Sequence, residues 1–235
     1  MTNCNVEIKR FTNAQALESE VAGDIAAQLA RAIKARGQAA LRVSGGHSPA
    51  GLFEQLHAQV LDWSRVSIAL VDERWVEPTD PASNERFVRE TLLRDRASAA
   101  HFRGLKNAAP SPDLGAAAAW ETAGHIPTPA DITVLGMGDD GHMASLFTGS
   151  PNLESALDLA ASAGYVGMRA PTAPQARLSL NLKALFDTRR VLILMLGEAK
   201  LRTLAAACGS GPVEEMPVRA MLRQRQVPVE VVWAP

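Results

Sequence analysis

The sequence is poor in several things, and each shortage removes a class of function. It has 2 cysteines and 1 tyrosine, and aromatic residues make up 5% of its 235 residues. So few cysteines rule out a disulfide-scaffolded module, and Cys4 and Cys208 are expected as two free thiols of a reducing cytosol. A surplus of either charge is also missing. The formal net charge is −1, so no basic face argues for nucleic acid or an anionic membrane. No apolar run reaches the roughly 18 residues of a membrane span. The longest, from Val191 to Leu196, has strand length. The first residues carry neither a basic n-region nor an apolar h-region, so no secretory signal is expected and the expected compartment is the cytoplasm.

Hydrophobic residues are plentiful, at 47%, enough to fill the core of one large α/β domain spanning 1–235. Leu17, Val21, Ile25, Leu29 and Ile33 recur every fourth residue and predict a helix, capped by Thr12 or Asn13 and closed by Gly37. Buried strands are expected over Ala39–Ser44, Val66–Val71, Asp131–Leu135, Val191–Leu196 and Val229–Trp233. Helices are expected near Leu52–Leu56, over Asn84–Arg94 with Ser83 as cap, over Asp113–Thr122, from Glu198 to about Ala207, and over Val218–Arg223. The proline-rich stretches at 110–112, 127–129 and 171–174 read as loops. Strands that are continuous apolar runs, alternating with helices, describe an α/β fold with a mostly parallel, Rossmann-like sheet covered on both faces. Ligands of such folds bind beyond the carboxyl ends of the strands.

Two motifs are decoys. Gly136-Met137-Gly138-Asp139-Asp140-Gly141 matches the dinucleotide pattern G-x-G-x-x-G and follows a strand. A pyrophosphate would meet two carboxylates there, each repelling it by roughly 4 kcal/mol at ~4 Å and an effective dielectric near 20. No ribose-binding acid follows at the expected spacing. Gly46-His47-Ser48-Pro49-Ala50 looks like a nucleophile elbow. The residue after the serine should lend its N–H to an oxyanion hole, but Pro49 has none. No histidine follows His142 to complete a triad.

The same residues suit a phosphate cradle. Gly45 and Gly46 allow close backbone approach, Ser48 offers a hydroxyl, and Pro49 fits the first position of a helix whose N-terminus favours an anion. Asp72, Glu73 and Arg74 are three adjacent charges where a strand ends, and such charges need water or a partner. In Asp140-Gly141-His142, a nearby carboxylate can fix the tautomer of the histidine and raise its basicity. Either Asp140 or Asp72 could serve. No H-x-x-x-H or C-x-x-C companion suggests a metal, and none is expected. Arg177 and Lys200 complete the cations. Lys200 sits in the first turn of a helix, where the dipole disfavours a cation unless an anion faces it.

Taken together, Val43 to Pro49, Val71 to Val76, Ser83-Asn84, Leu135 to Phe147 and Gly197 to Lys200 resemble the glucosamine-6-phosphate isomerase/6-phosphogluconolactonase family, in order along most of the chain. Within it they look most like the 6-phosphogluconolactonases. The resemblance implies a three-layer α/β/α sandwich. It implies hydrolysis of 6-phospho-D-glucono-1,5-lactone to 6-phosphogluconate in the oxidative pentose phosphate pathway, with no cofactor. It makes His142 the general base, with Asp140, Asp72 and Arg74 as its catalytic neighbours. It gives substrate and phosphate contacts to Gly45, Gly46, Ser48, Asn84, Gly138, Gly141, Arg177 and Lys200. The partner is then a small phosphorylated sugar lactone, with no nucleic acid or membrane, and a monomer is expected. His47, Met143 and Thr148 depart from the family's usual residues, which bears on substrate fit. A deaminase of the same family would carry Ile-Ala-Phe-Asn-Glu after its Asp-Gly-His. Here Met143-Ala144-Ser145-Leu146-Phe147 stands there, without the glutamate. A silent sugar-phosphate sensor is the other alternative, and intact His142, Arg74 and Lys200 speak against it.

Overall fold

The computed structural model describes residues 4, 6–46, 48–171 and 174–235. His47, and Thr172 and Ala173 of the expected proline-rich loop, lie outside them. Strand β1 (Glu7–Arg10) leads into helix α1 (Ala14–Arg36). Asn13 caps that helix, its side chain accepting from Ala16 N at 2.8 Å, and Gly37 ends it with φ of 77°. Its leucine–valine–isoleucine stripe is buried, as the four-residue spacing requires. Strand β2 (Ala39–Val43) follows, then α2 (Ala50–Leu56), β3 (Val66–Leu70), β4 (Asp72–Arg74), α3 (Asn84–Thr91) and β5 (His101–Phe102). The second half comprises α4 (Pro112–Ala123), β6 (Ile132–Gly136), α5 (Leu153–Leu157), β7 (Tyr165–Arg169), β8 (Ala176–Leu180), α6 (Leu182–Leu185), β9 (Val191–Leu196), α7 (Glu198–Cys208), α8 (Val218–Arg223) and β10 (Val229–Ala234).

Seven strands form one sheet in the order β1-β10-β9-β6-β2-β3-β5, and its pairings are parallel. β2, β3 and β9 are buried along almost their whole length, because helices cover both faces. From β2 the chain steps outward to β3 and β5, and later builds the other half through β6, β9 and β10. The order therefore reverses between β2 and β6, which is where such folds open a ligand crevice. Among the described residues no helix is long and apolar enough to cross a membrane.

The elements missing from the sequence reading are those without an apolar run. β1 (Glu-Ile-Lys-Arg) is an exposed edge strand held by its ladder to β10. β4 is entirely charged, yet it pairs antiparallel with β8, and β8 with β7, giving a second sheet of three strands. Asp72-Glu73-Arg74 is thus a strand, not the end of one. The expected free thiols are corrected too: Cys4 and Cys208 are joined in a disulfide, with their Cα atoms 5.0 Å apart. The cause is topological. Cys4 lies three residues before β1, which runs beside β10, and Cys208 is the last residue of α7.

Candidate active site

At the reversal point a cavity of about 530 Å³ opens beyond the carboxyl ends of β2 and β6. From the β2 side its wall takes Gly45, Gly46 and Ser48. The second sheet and α3 supply Asp72, Arg74, Asn84 and Arg177. The loop after β6 supplies Gly138, Asp140 and His142. Ten of the twelve residues singled out in the sequence therefore line one cavity. The other two, Gly141 and Lys200, stand behind it. Gly141 anchors the loop, its carbonyl accepting from Val218 N at 2.9 Å. Lys200 donates to Met137 O at 2.7 Å and pairs with Asp139 at 2.7 Å, so its charge clamps the back of the loop.

The loop folds back on itself to present the histidine. Gly138 N donates to His142 O at 2.9 Å, and Gly141 N to Gly138 O at 3.0 Å. One oxygen of Asp140 then takes two contacts from His142, the backbone N–H at 3.1 Å and ring Nδ1 at 2.6 Å. The hydrogen bond from the His142 ring, helped by its charge, pulls the Asp140 carboxyl down to about 2 against the opposing effect of burial. Gly138 makes the pair possible: a Cβ there would run into His142 Nδ1 and Asp140 Oδ1. The Phe147 ring packs 4.4 Å from the imidazole, tilted by 48°.

The opposite wall is electropositive. Arg74 and Arg177 are cross-strand partners in the β4–β8 ladder. Arg74 Nη1 donates to Ala82 O at 2.7 Å, and the Arg177 guanidinium lies 5.7 Å from the Phe147 ring. The Nε atoms of both arginines are buried without a partner among the described residues, as is Asn84 Oδ1. Burial first, and then the charge of Arg74, lowers the affinity of Arg177 for its proton. Two neighbouring guanidinium groups lining one cavity offer a cationic surface to an anion.

Asp72 does not face His142. Its Oδ2 accepts from Ser145 Oγ at 2.5 Å and its backbone oxygen from Asn84 Nδ2 at 2.8 Å. Of the two carboxylates left open by the sequence, Asp140 is the one that touches the histidine. Three further residues, Ser145, Phe147 and Glu73, carry no assigned role in the sequence reading yet contact the site. Glu73 is buried and accepts from the N–H groups of Arg74, Asn84 and Glu85, each at 2.7 Å, and from Ser83 Oγ at 3.1 Å. It thereby ties the start of α3 to β4. Burial pushes its carboxyl up to about 7, while the three backbone donors act in the other direction. Its only sequence signal was a position between two site residues. Among the described residues no group of three or more His, Cys, Asp and Glu side chains is arranged to hold a metal.

Comparison with known proteins identifies the family of the chain. Residues 12–233 match the family model described as glucosamine-6-phosphate isomerases/6-phosphogluconolactonase. The chain is 43% identical to a 6-phosphogluconolactonase of Rhizobium meliloti (strain 1021), over 96% of this chain and 97% of that one. It is 40% identical to a 6-phosphogluconolactonase of Pseudomonas putida, covering 98% and 93%. A crystal structure of a 6-phosphogluconolactonase from Shewanella baltica OS155 superposes with a TM-score of 0.97 at 45% identity, covering all of both chains. A monomeric glucosamine-6-phosphate deaminase shares the fold, with a TM-score of 0.76 at 16% identity. The chain belongs to the glucosamine-6-phosphate isomerase/6-phosphogluconolactonase family.

Proposed function

We propose that the chain hydrolyses 6-phospho-D-glucono-1,5-lactone to 6-phosphogluconate, the lactone-opening step of the oxidative pentose phosphate pathway. The observation that carries this is a single cavity with a carboxylate–imidazole pair on one wall and the Arg74 and Arg177 guanidinium groups on another. Curated relatives at 43% and 40% identity are named for the same activity.

With Nδ1 engaged by Asp140, His142 keeps Nε2 for chemistry, since that nitrogen has no hydrogen bond among the described residues. Nε2 takes a proton from a water as the water oxygen attacks the lactone carbonyl. The ring C–O bond then breaks, and the imidazolium returns the proton to the departing ring oxygen. Asp140 stays ionised and stabilises the imidazolium. The Gly45 and Gly46 N–H groups make no hydrogen bond among the described residues and are free to meet developing negative charge. Arg177, Arg74 and Ser48 hold the phosphate, and Lys200 fixes the loop that carries the base. Anchoring the remote phosphate positions the carbonyl, which contributes to rate by orientation.

The test is lactone hydrolysis corrected for spontaneous opening, with the phosphorylated and unphosphorylated lactones, on wild type and His142→Ala. The variant is expected to lose about 10²–10⁴-fold in turnover while remaining folded. Equal efficiency on both lactones, near-normal turnover in the variant, or ammonia release from glucosamine 6-phosphate would each overturn the reading.

A further inference from the structure

A second cavity, of about 220 Å³, lies on the other side of β2, under the end of α4. The catalytic mechanism makes no use of it. Arg42 lines it from β2, Trp120 and Ala123 from α4, and Tyr165 from β7. It opens to solvent at Gly124 and Thr128, both exposed.

Arg42 is the feature that asks for a ligand. It is 3% exposed, and it has no ion-pair partner among the described residues. Asp187 attracts it only from beyond ion-pair distance. Of its guanidinium nitrogens, Nη1 alone is engaged, donating to Ala184 O at 2.6 Å and Asp187 O at 3.1 Å. Nε and Nη2 have no protein acceptor among the described residues. They are also absent from the sealed, unpartnered atoms of the protein, a group that does include Arg74 Nε and Arg177 Nε. They are therefore open to the cavity. A buried cation without a counter-charge is costly, so a fixed guanidinium with free N–H groups favours a carboxylate, which it can meet with two parallel hydrogen bonds.

The rest of the cavity decides the shape of that ligand. The Trp120 and Tyr165 rings meet edge to face, 6.0 Å apart. The Tyr165 hydroxyl is spent on Leu70 O at 2.5 Å, so this ring presents mainly an apolar surface. The Trp120 indole N–H has no partner among the described residues, whereas those of Trp63, Trp75 and Trp233 are all bonded to carbonyls. The volume falls below the roughly 300–1,000 Å³ of pockets for drug-sized ligands and suits a single ring.

We propose that this cavity is a second binding site, for a small aromatic monocarboxylate whose carboxylate pairs with Arg42 and whose ring lies against Trp120 and Tyr165. The probe is 4-fluorobenzoate, followed by ¹⁹F NMR titration of the full chain. Saturable binding is expected, unaffected by saturating 6-phosphogluconate. It should weaken by at least about tenfold in Ala123→Leu, which fills the cavity but keeps Arg42 and its anchors, and likewise in Arg42→Met. The neutral 4-fluorobenzamide should also bind at least about tenfold more weakly than the acid. Lactone hydrolysis should be unchanged in Ala123→Leu, which shows that this variant is folded; should Arg42→Met fail to fold, Ala123→Leu decides alone. The proposal is overturned by absence of saturable binding, by wild-type affinity in Ala123→Leu, by equal affinity for acid and amide, or by displacement with 6-phosphogluconate, which would move the ligand to the catalytic cavity.

Discussion

Asp140 Oδ1 lies 2.6 Å from His142 Nδ1 and 3.1 Å from the backbone nitrogen of the same residue. One oxygen thus sets both the ring orientation and the tautomer of the base. Asp140→Asn keeps the shape but can offer the ring an amide N–H in place of an acceptor. Turnover should fall by about 10²-fold or more, with KM changed little, because the phosphate contacts lie on a different wall. Steady-state kinetics on the purified variant check this, and a change confined to KM would contradict it.

The same contact governs how Asp140 titrates. Its folded-state value is held near 2, below the ordinary 3.8. A depressed carboxylate contributes stability that is fully present above about 3.8 and is lost as pH falls through about 2. The Asp140 carboxylate is therefore expected to stay ionised in any mildly acidic assay. Carboxyl ¹³C shifts should show Asp140 titrating near 2 in wild type and moving up toward 3.8 in His142→Ala. An unmoved midpoint would mean that His142 is not the cause.

Gly138→Ala tests the loop rather than the dyad itself. The added methyl would occupy space held by His142 Nδ1 and Asp140 Oδ1, so one of them must leave. Activity is expected to drop nearly as far as in His142→Ala. The thermal midpoint should move far less than for a core truncation, because Asp140 is exposed and His142 only half-buried. Thermal unfolding followed alongside lactone hydrolysis separates the two effects.

Glu73→Gln should act at a distance from the reacting atoms. Four donors converge on the carboxylate, and an amide cannot accept from all of them. The cost is about 1–3 kcal/mol of stability. KM should rise more than kcat falls, because Arg74 and Asn84 lose their tether. The sign of the pH effect follows from the upward shift. The folded value is raised from 4.5 to about 7, so ionisation opposes folding, and wild type loses stability as pH rises from about 4.5 to about 7. Glutamine does not ionise. The stability gap between wild type and variant should therefore narrow between pH 5 and pH 8 in denaturant titrations; a constant gap would contradict the shift.

Much of this was legible in the residue order. α1 announces itself by a four-residue stripe and β2, β3, β9 and β10 by apolar-rich runs, while Asn13 and Ser83 mark helix starts by side-chain chemistry and Gly37 a helix end by its positive φ. β4 did not, because Asp-Glu-Arg carries no apolar signal and becomes a strand only through β8, about 100 residues later. The sequence reading gives Lys200 to the phosphate of a substrate, whereas the anion it meets in the fold is Asp139 of the loop. Likewise Asp72 and Asp140 were equivalent on paper, and only the tertiary placement of Ser145 occupies one of them. The thiol pair was hidden for the same reason, since no local pattern says that the strand after residue 4 runs beside the last strand of the chain.

The cross-strand placement of Arg74 and Arg177 makes the anion recognition proposed above a matter of β-register. Their separation is set by a backbone ladder, so loops on either side can lengthen or shorten without changing the spacing of the two charges. A slip of a single residue is different. It would turn Arg177 to the opposite face and bring Leu178 or Ala176 opposite Arg74, exchanging a dianion receptor for an apolar wall. Under the proposed function, discrimination between a phosphorylated and a plain sugar lactone would rest on how two short strands align, and buried Leu178 and Leu180, which pack β8 onto the core, keep them aligned.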